Sequence, residues 1–393
     1  MNRRRSLLVA LATIAGPASA AASAAAPLPR RRVLQVGPGR SIKTIAEAAR
    51  LARDGDRVEV DAGDYPGDVA VWQQDELDLI AIGGRVRLTA AGASAEGKGI
   101  WVVRGGKMSA QGFDFSGAAV PDHNGAGIRL DGGWLTVRDC SFIKNETGIL
   151  TGNHGRIELT VQGCEFAQNT WPDGQSHHLY AGAIARLTVT GSYFHHAHAG
   201  HLLKSRAATS AILYNRLTDE AGGEASYELE FPNGGIAFVI GNIVSQSADT
   251  QNATLISFGA EGYPRSNNEL YLASNTLIDR PGPPGIFLAV RPGADVVHAV
   301  NNLLVGAARR LPPAFRESDG NVLIGLAEFE QQADSQFRLR RDSPLTGRFV
   351  PPGAARGRSL APERQYRHPH STVALNAPPH NPGSMQTLAA LSR

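Results

Sequence analysis

The sequence contains few cysteines, few aromatic residues and little net charge. Its two cysteines, Cys140 and Cys164, cannot make the disulfide framework of a small secreted domain. Aromatic residues make up 6% of the chain, which is low for a sandwich built around large core rings. The formal net charge of +3 is too small to indicate a nucleic-acid partner. No stretch beyond residue 26 has the apolar length of a membrane helix, so we predict no membrane span.

Glycine and proline, in contrast, are abundant. The chain of 393 residues has 44 glycines and 23 prolines, and 42% of its residues are hydrophobic. This composition predicts a substantial core with many turns and few long helices. The length fits either two ordinary domains or one long repeat array.

Residues 1–26 have the pattern of an export signal. The arginines at 3–5 form a positive segment, and residues 6–16 form an apolar run that is too short to span a bilayer. Small-residue cleavage motifs follow at 18–20 and 22–24, and the double arginine also fits a twin-arginine pattern loosely. We therefore predict a signal peptide of the Sec or Tat type, and a bacterial protein that is periplasmic or secreted.

One sequence motif recurs along the rest of the chain, for example as LTVRDCSF at 135–142 and LTVQGCEF at 159–166. The equivalent positions of successive copies are Phe113, Cys140, Cys164, Ser192, Asn215, Asn242, Asn275 and Asn302. These positions lie 23 to 33 residues apart, and the residues between them are β-branched and glycine-rich. A period of this length indicates a solenoid, and the composition favours a parallel β-helix over a leucine-rich repeat.

Stacking of the coils would bring the equivalent positions into one internal column. Asparagine both donates and accepts hydrogen bonds, so the four asparagines of the motif are predicted to form a ladder. Cys140 and Cys164 would be stacked neighbours in the same column. They are either two buried thiols or, in an oxidising compartment, a disulfide.

The two ends of the chain differ from its repetitive middle. Ser41 is predicted to cap a helix over residues 42–53 that closes the open end of the solenoid, and strands are predicted to begin at 56–60. The β-helix with this cap is predicted to occupy residues 27–341. Residues 342–393 are rich in proline and arginine, and we predict an irregular tail that runs along the solenoid and is partly disordered.

A second apolar strand precedes each copy of the motif in the middle coils. Equal distances to the following ladder position align Leu179, Leu202 and Leu229 as inward residues. Because side chains alternate along a strand, the flanking residues are predicted to face outward. The predicted outward rows are His178, His201, Glu228 and, beside them, Tyr180, Leu203, Glu230.

Lys204 and Arg206 follow directly after the predicted rows. Strict alternation from Leu202 would point Lys204 inward, where an unpaired lysine is unfavourable. We therefore predict that the strand ends near Leu203 and that a turn exposes Lys204. Three adjacent coils would then display His, Tyr, Lys, Arg and Glu side chains on one face.

Such a face suits an acidic polysaccharide that lies across several coils. β-Elimination at a uronic acid needs a cation that neutralises the carboxylate, a base that takes the C5 proton, and an acid that assists the leaving glycosidic oxygen. Lysine and arginine can neutralise, while lysine, histidine and tyrosine can transfer the protons.

The segment HLLKSRA at 201–207, followed by ILYNR at 212–216, resembles bacterial right-handed parallel β-helix proteins of the pectin-lyase-like superfamily. Residues 41–65 and RLRRDSP at 338–344 resemble the same proteins. The resemblance implies an all-β chain with a single-domain right-handed parallel β-helix.

The Lys204–Ser205 pair is similar to the Lys-Ser of alginate and chondroitin B lyases, in which that lysine is the base. The resemblance therefore implies that Lys204 is the base. Those lyases place an arginine in the next coil, where this chain has Glu228 and Glu230, and Arg206 is the candidate substitute.

Three hypotheses for function follow. The first is a polysaccharide lyase with Lys204 as base, Arg206 as neutraliser, and Tyr180 or His201 as acid. The residues predicted to bind its substrate are His178, Glu228, Glu230 and Glu261. The second is a glycoside hydrolase that uses Glu228 and Glu230, about 7 Å apart along one strand. The third is a non-catalytic glycan-binding solenoid, in which the lysine and arginine pair with these two glutamates as a charge ladder.

Metal binding is the remaining alternative. Six of the 12 histidines lie within 177–201, but their spacing matches no zinc motif. A Ca²⁺ site is an open alternative, and its candidate ligands are the carboxylates of Asp219, Glu220, Glu224, Glu228 and Glu230. We predict no metal site and no cofactor, a monomer, and an acidic polysaccharide as the partner.

Overall fold

A computed structural model describes residues 31–171, 176–279, 285–306, 311–317, 319–330 and 336–386. By internal contacts the chain divides into residues 1–31 and residues 32–393. The predicted signal peptide at 1–26 lies outside the described residues and stays a prediction. The fold is therefore that of the second unit.

The chain winds through about 10 coils that stack as a parallel β-solenoid. The first strands of successive coils pair in one sheet, which we call the first sheet. Its strands are Ala70–Trp72, Gly99–Val103, Ala126–Leu130, Thr147–Thr151, His177–Ala181, His201–Ser205, Tyr227–Phe231, Thr254–Phe258 and Ile286–Val290. All pairings within it are parallel.

The second and third strands of each coil form one continuous sheet with a bend between them. The second strands are Lys107–Gln111, Trp134–Arg138, Glu158–Gln162, Arg186–Thr190, Thr209–Leu213, Ile236–Ile240, Glu269–Ala273 and Val296–Val300. The third strands are Phe113–Ser116, Ser141–Ile143, Glu165–Ala167, Tyr193–His195, Arg216–Thr218, Ile243–Ser245, Thr276–Ile278, Leu303–Val305 and Val322–Ile324. Two long strands, Arg57–Pro66 and Leu77–Thr89, continue this sheet toward the N-terminal end.

Stacked apolar residues fill the interior of the solenoid. The rings of Phe115, Phe142, Phe166 and Phe194 are fully buried and stack with centroid distances of 5.0, 4.8 and 4.5 Å. Successive coils therefore bury the same residue type at the same position, as a solenoid core requires. The predicted all-β, right-handed parallel β-helix is confirmed.

The asparagine ladder is present and continues one coil beyond the prediction. The backbone N–H groups of Asn215, Asn242 and Asn275 each donate to the side-chain oxygen of the next asparagine at 2.8–2.9 Å. Asn302 donates in the same way to Asn321 at 2.9 Å. Asn321 follows after only 19 residues, because the last coil is shorter than the others.

The two cysteines lie in the same internal column. Both side chains are buried, and both are free thiols. Burial raises the pKa of the Cys164 thiol well above its ordinary value. This arrangement is the thiol alternative of the sequence analysis.

The N-terminal cap is smaller than predicted, and the strands begin earlier. A strand at Val33–Val36 pairs with the start of the long strand Arg57–Pro66. The helix spans Ile45–Leu51, and its N-cap is Thr44, whose hydroxyl accepts from the Glu47 N–H at 3.1 Å. The predicted cap at Ser41 and helix from residue 42 were wrong, because Ile42 pairs with Val36 as an isolated bridge.

The C-terminal segment is ordered over its described residues. This segment comprises residues 342–386 and contains two hairpins, Ala354–Ala355 with Arg358–Ser359 and Arg364–Arg367 with Ser371–Ala374. A helix at Pro313–Arg316 and a 3-10 turn at Leu326–Glu328 precede it.

This C-terminal segment runs along the second and third strands. The His370 imidazole contacts the Gly163 carbonyl at 3.0 Å, and the Ser384 hydroxyl contacts that of Thr276 at 2.9 Å. The predicted partial disorder thus does not apply to residues 342–386. In the part of the chain that the structure describes, no helix is long and apolar enough to cross a membrane.

Candidate functional site

The register of the first sheet differs by one residue from the prediction. Leu179, Leu203 and Leu229 stand opposite one another, so Leu203 rather than Leu202 is equivalent to the other two. The reason is the turn that follows each strand. It has three residues at 206–208 but four residues at 182–185 in the coil before. Equal distances to the ladder therefore misaligned the middle strand by one position.

The observed register defines two rows on the outer surface of the first sheet. One row consists of His177, His201 and Tyr227, and the other of Tyr180, Lys204 and Glu230. Lys204 is within its strand, His201–Ser205, and is outward without the turn that the prediction required. We call these six residues together with Arg206 and Glu261 the charged face.

Two residues that were predicted to bind substrate are inside the coil stack. His178 and Glu228 have no exposed surface, and Glu228 is level with the core residue Leu202. The Nδ1 of His178 contacts Asn169 at 3.2 Å, and burial lowers the pKa of this histidine to about 3. Burial raises the pKa of Glu228 well above its ordinary value. The predicted outward placement of His178 and Glu228 is therefore wrong.

An ion pair occupies the centre of the charged face. The Lys204 ammonium lies 3.0 Å from the Glu230 carboxylate, and these side chains are only 12% and 6% exposed. The same carboxylate is 3.7 Å from His201 Nδ1. The partial burial makes this pair stronger than a fully solvated one.

Arg206 connects the central ion pair to the next turns. Its guanidinium binds Glu261 through two contacts, at 2.5 and 2.8 Å, and its Nε donates to the Tyr180 hydroxyl at 2.8 Å. It also binds the side-chain oxygen of Asn233. The hydrogen bond with Glu261 raises the pKa of Arg206 and lowers that of Glu261, so both groups are charged. Lys204 lies 3.8 Å from the same carboxylate.

The histidines of the charged face are neutral. The rings of His177 and His201 stack at 4.5 Å, and the backbone N–H of His201 donates to His177 Nδ1 at 3.2 Å. Burial lowers the pKa of His177 to about 3 and that of His201 well below its ordinary value. At neutral pH an unprotonated imidazole therefore lies beside the lysine.

The structure thus brings together six of the eight predicted site residues. They are Tyr180, His201, Lys204, Arg206, Glu230 and Glu261. Sequence reasoning did not identify His177, Tyr227 and Asn233 as members of this surface. Alternation could not have found the first two, because His177 and Tyr227 are two residues before the inward residues Leu179 and Leu229 and would be predicted to face inward too.

The carboxylates that were predicted to act in a hydrolase or to bind Ca²⁺ form neither a paired-acid site nor a metal cluster within the described residues. Glu228 is internal and Glu230 is outward, so the predicted hydrolase pair does not share one surface. Asp219 accepts backbone N–H groups of Ala197 and Ala225 at 2.8 and 2.5 Å. Among the described residues, no three His, Cys, Asp or Glu side chains converge as metal ligands. The predicted absence of a cofactor, with a Ca²⁺ site as the alternative, stays an untested prediction.

The coil stack, its register and its internal ladder are those of a right-handed parallel β-helix. Among solved structures, the crystal structure of pectate lyase Pel9A is similar to this chain, with a TM-score of 0.59 and 12% sequence identity. The match covers 91% of this chain and 96% of that chain. A pectin methylesterase mutant in complex with a hexasaccharide matches with a TM-score of 0.36 and 12% identity, over 57% of this chain and 91% of that chain. No protein-family model and no curated protein matches this sequence. At this identity the similarity to the pectate lyase shows the fold alone.

Proposed function

We propose that this chain is an exported polysaccharide lyase that cleaves a uronate-containing glycan by β-elimination. One observation carries the proposal: Arg206 and Lys204 already hold a carboxylate, that of Glu261, between them. The Glu261 side chain is 46% exposed, so a carboxylate from solvent can replace it. Export is supported by the leader pattern of residues 1–26, and the carbohydrate class agrees with the fold of a pectate lyase.

The uronate carboxylate would bind between Arg206 and Lys204. Arginine matches a carboxylate with two parallel hydrogen bonds, and the lysine adds a second positive charge. These charges withdraw electron density from the substrate carboxylate and make the neighbouring C5 proton more acidic. Electrostatic stabilisation of this kind is commonly the largest contribution to catalysis.

His201 is the best base on the charged face. Its imidazole is unprotonated at neutral pH because burial lowers its pKa. Lys204 is in an ion pair with Glu230, and an ammonium has no lone pair with which to take a proton. We therefore assign Lys204 to charge neutralisation, in place of the base role that the resemblance to alginate and chondroitin B lyases implied.

Tyr180 is the acid in this proposal. The C5–H electron pair becomes the C4–C5 double bond, its proton passes to His201, and the C4–O4 bond breaks. The departing oxygen takes the phenolic proton of Tyr180. Arg206 Nε, which donates to this phenol at 2.8 Å, stabilises the resulting phenolate until solvent returns the proton.

Incubation of the protein with alginate, pectate and uronate-containing glycosaminoglycans tests this proposal. Elimination creates an unsaturated uronate that absorbs in the ultraviolet, and hydrolysis creates new reducing ends without that absorbance. We expect both signals to increase together with one of these polymers. New reducing ends without absorbance would identify a hydrolase instead.

A non-catalytic glycan-binding role is the second candidate. The observation that favours it is that both cations of the charged face are already neutralised: Lys204 pairs with Glu230, and Arg206 pairs with Glu261. Cross-strand ion pairs of this kind also stabilise stacked coils. Binding of an acidic polymer without either product signal would select this role.

A further inference from the structure

A second concave surface lies at the edge of the first sheet where its strands end, several coils before the charged face. We call it the Trp134 groove. It has a volume of about 860 Å³. Its members include Glu76, Arg104, Lys107, Trp134, His154 and Arg156. None of these residues belongs to the charged face.

Unequal turn lengths create the groove. The turns at 104–106 and 131–133 have three residues each, whereas the turn at 152–157 in the following coil has six. Both short turns contain a glycine pair, and a Cβ on Gly133 would lie 1.5 Å from the Gly105 carbonyl oxygen. The floor of the groove therefore consists of the backbones of the two short turns in close contact. The longer turn at 152–157 forms one side of the groove.

Trp134 presents a large aromatic surface to this groove. Its side chain is 48% exposed, whereas Trp72 and Trp101 are fully buried in the core. An indole that is exposed in a concavity offers a large, flat apolar surface that a ligand can cover. The C–H face of a sugar ring is the natural partner of an indole face, because both are flat and apolar while the sugar's hydroxyls stay in water.

The charges around Trp134 favour an anionic sugar. Of its acidic members, Asp131 binds Lys98 at 2.6 Å, and Asp54 accepts the Asp75 N–H at 2.9 Å. Lys107 lies over the indole at 5.4 Å, and among the described residues neither it nor Arg156 has a carboxylate within ion-pair distance. Lys107 and Arg156, on the coils next to that of Trp134, are thus uncommitted cations, whereas the exposed carboxylates of the groove, Asp54, Asp75 and Glu76, all lie on turns that precede Lys107.

We propose that the Trp134 groove is a second saccharide-binding site, in which Trp134 stacks on a sugar ring and Lys107 and Arg156 bind its carboxylate or sulfate. The groove and the Arg206 turn lie on the same edge of the first sheet, three coils apart, which is about 14 Å at the spacing of β-strands. One long acidic glycan could therefore occupy both surfaces. The inference stands without the lyase proposal, because it requires binding and not turnover.

Affinity electrophoresis in gels that contain alginate or polygalacturonate tests the proposal, with a neutral galactan gel as the reference. We expect Trp134→Ala to weaken the retention by acidic polymer roughly tenfold, as the loss of a central aromatic contact does. Lys107→Gln and Arg156→Gln should each weaken it by a smaller factor. Leu326→Ala, which removes a hydrophobic side chain that is even more exposed and lies elsewhere, is the control and should bind like the parent protein.

Three results would overturn the inference: no retention of the parent protein by either acidic polymer, equal retention of Trp134→Ala and Leu326→Ala, or equally strong retention by galactan. Turnover of short uronate oligosaccharides should be the same in Trp134→Ala and the parent. If binding depends on Trp134 but no unsaturated product forms, the groove proposal stands and the lyase proposal fails. If unsaturated product forms but binding does not depend on Trp134, the groove proposal fails and the lyase proposal stands.

Discussion

The Arg206 guanidinium binds the Glu261 carboxylate through two contacts, at 2.5 and 2.8 Å. Glu261 is on a turn two coils further along the chain, so the pair connects two turns at the edge of the charged face. In the lyase proposal Glu261 occupies the place of the substrate carboxylate.

Replacement of Glu261 by glutamine should therefore help substrate to bind. The amide is uncharged and competes less well for Arg206 than a carboxylate does. We expect KM for the uronate polymer to fall several-fold with kcat nearly unchanged, measured by steady-state kinetics. Glu317→Gln, at an exposed site, should change neither constant. An increased KM in Glu261→Gln would mean that Glu261 binds substrate directly.

Loss of the Lys204 charge should abolish most of the turnover. We expect Lys204→Gln to lower kcat/KM by about 100-fold or more, since it removes preorganised charge from the transition state. Glu230 would then be left with a buried unpaired charge, which destabilises a fold. The double variant Lys204→Gln with Glu230→Gln removes both charges and should recover the melting temperature without recovering turnover. Lys144→Gln is the control at an exposed lysine. Wild-type turnover in the double variant would eliminate the proposed role.

The pH dependence of kcat/KM distinguishes the two candidate bases. The pKa of His201 in the folded protein is well below its ordinary value of 6.5, so its base form is complete at neutral pH. We expect a plateau through neutral pH and a decline on the acid side, where His201 becomes protonated. If Lys204 were the base, the rate would continue to increase above neutral pH, because only a deprotonated amine can take a proton. An alkaline rise that disappears in Lys204→Arg would restore Lys204 as the base.

The asparagine ladder should contribute strongly to stability. Asn242 donates from its side chain to Ile212 and Asn275 and accepts the Asn215 N–H, and all of these groups are buried. Asn242→Ala leaves buried partners without hydrogen bonds, and we expect a loss of about 3 kcal/mol in the free energy of unfolding. Asn124→Ala, at an exposed asparagine, is the control. Chemical denaturation measures both, and equal stability of the two variants would contradict a structural ladder.

Glu228 should make the protein less stable as the pH increases. Its ordinary pKa is 4.5, and burial raises the folded-state pKa well above that value, so the folded protein binds one more proton than the unfolded chain. The contribution of Glu228 to the free energy of unfolding is then fully present below pH 4.5. It declines by about 1.4 kcal/mol per pH unit until the folded-state pKa is reached. Glu228→Gln keeps the shape without the charge and should be more stable than the parent at pH 7. Parallel stability profiles of Glu228→Gln and the parent would show that Glu228 does not take up this proton.

The coil architecture could be predicted from the sequence because it repeats. Asn215, Asn242, Asn275 and Asn302 mark one internal column at similar intervals, and a buried amide is costly unless its neighbours are amides too. The ladder therefore leaves a signal in the sequence that is independent of the turns between its members.

The outward rows could not be predicted with the same accuracy. Leu202 and Leu203 are both apolar and both fully buried, so hydrophobicity does not indicate which of them is equivalent to Leu179. The alignment depends on a turn that is one residue shorter at 206–208 than in the neighbouring coil. A slip of one residue moves every side chain of a strand to the other face. This slip hid the outward position of Lys204. His178 and Glu228 were misplaced for a different reason: each is buried beside an equally buried leucine, so strict alternation does not hold at the start of these strands.

The contacts of the C-terminal segment also could not be predicted from the sequence. Arg356 binds Glu269 across 87 residues, and the Tyr214 hydroxyl accepts the Glu363 N–H across 149 residues. Neither pair belongs to a repeat, so no periodic signal marks it. Composition alone made the segment resemble a disordered tail.

Mass spectrometry of the products from a defined uronate oligosaccharide tests the lyase proposal most directly. Elimination makes a new non-reducing-end fragment that is lighter by one water molecule than the corresponding saturated saccharide. We predict that the parent protein produces this lighter fragment and that Lys204→Gln with Glu230→Gln does not. Fragments of saturated mass only, or an intact oligosaccharide that is nevertheless bound, would contradict β-elimination at the charged face.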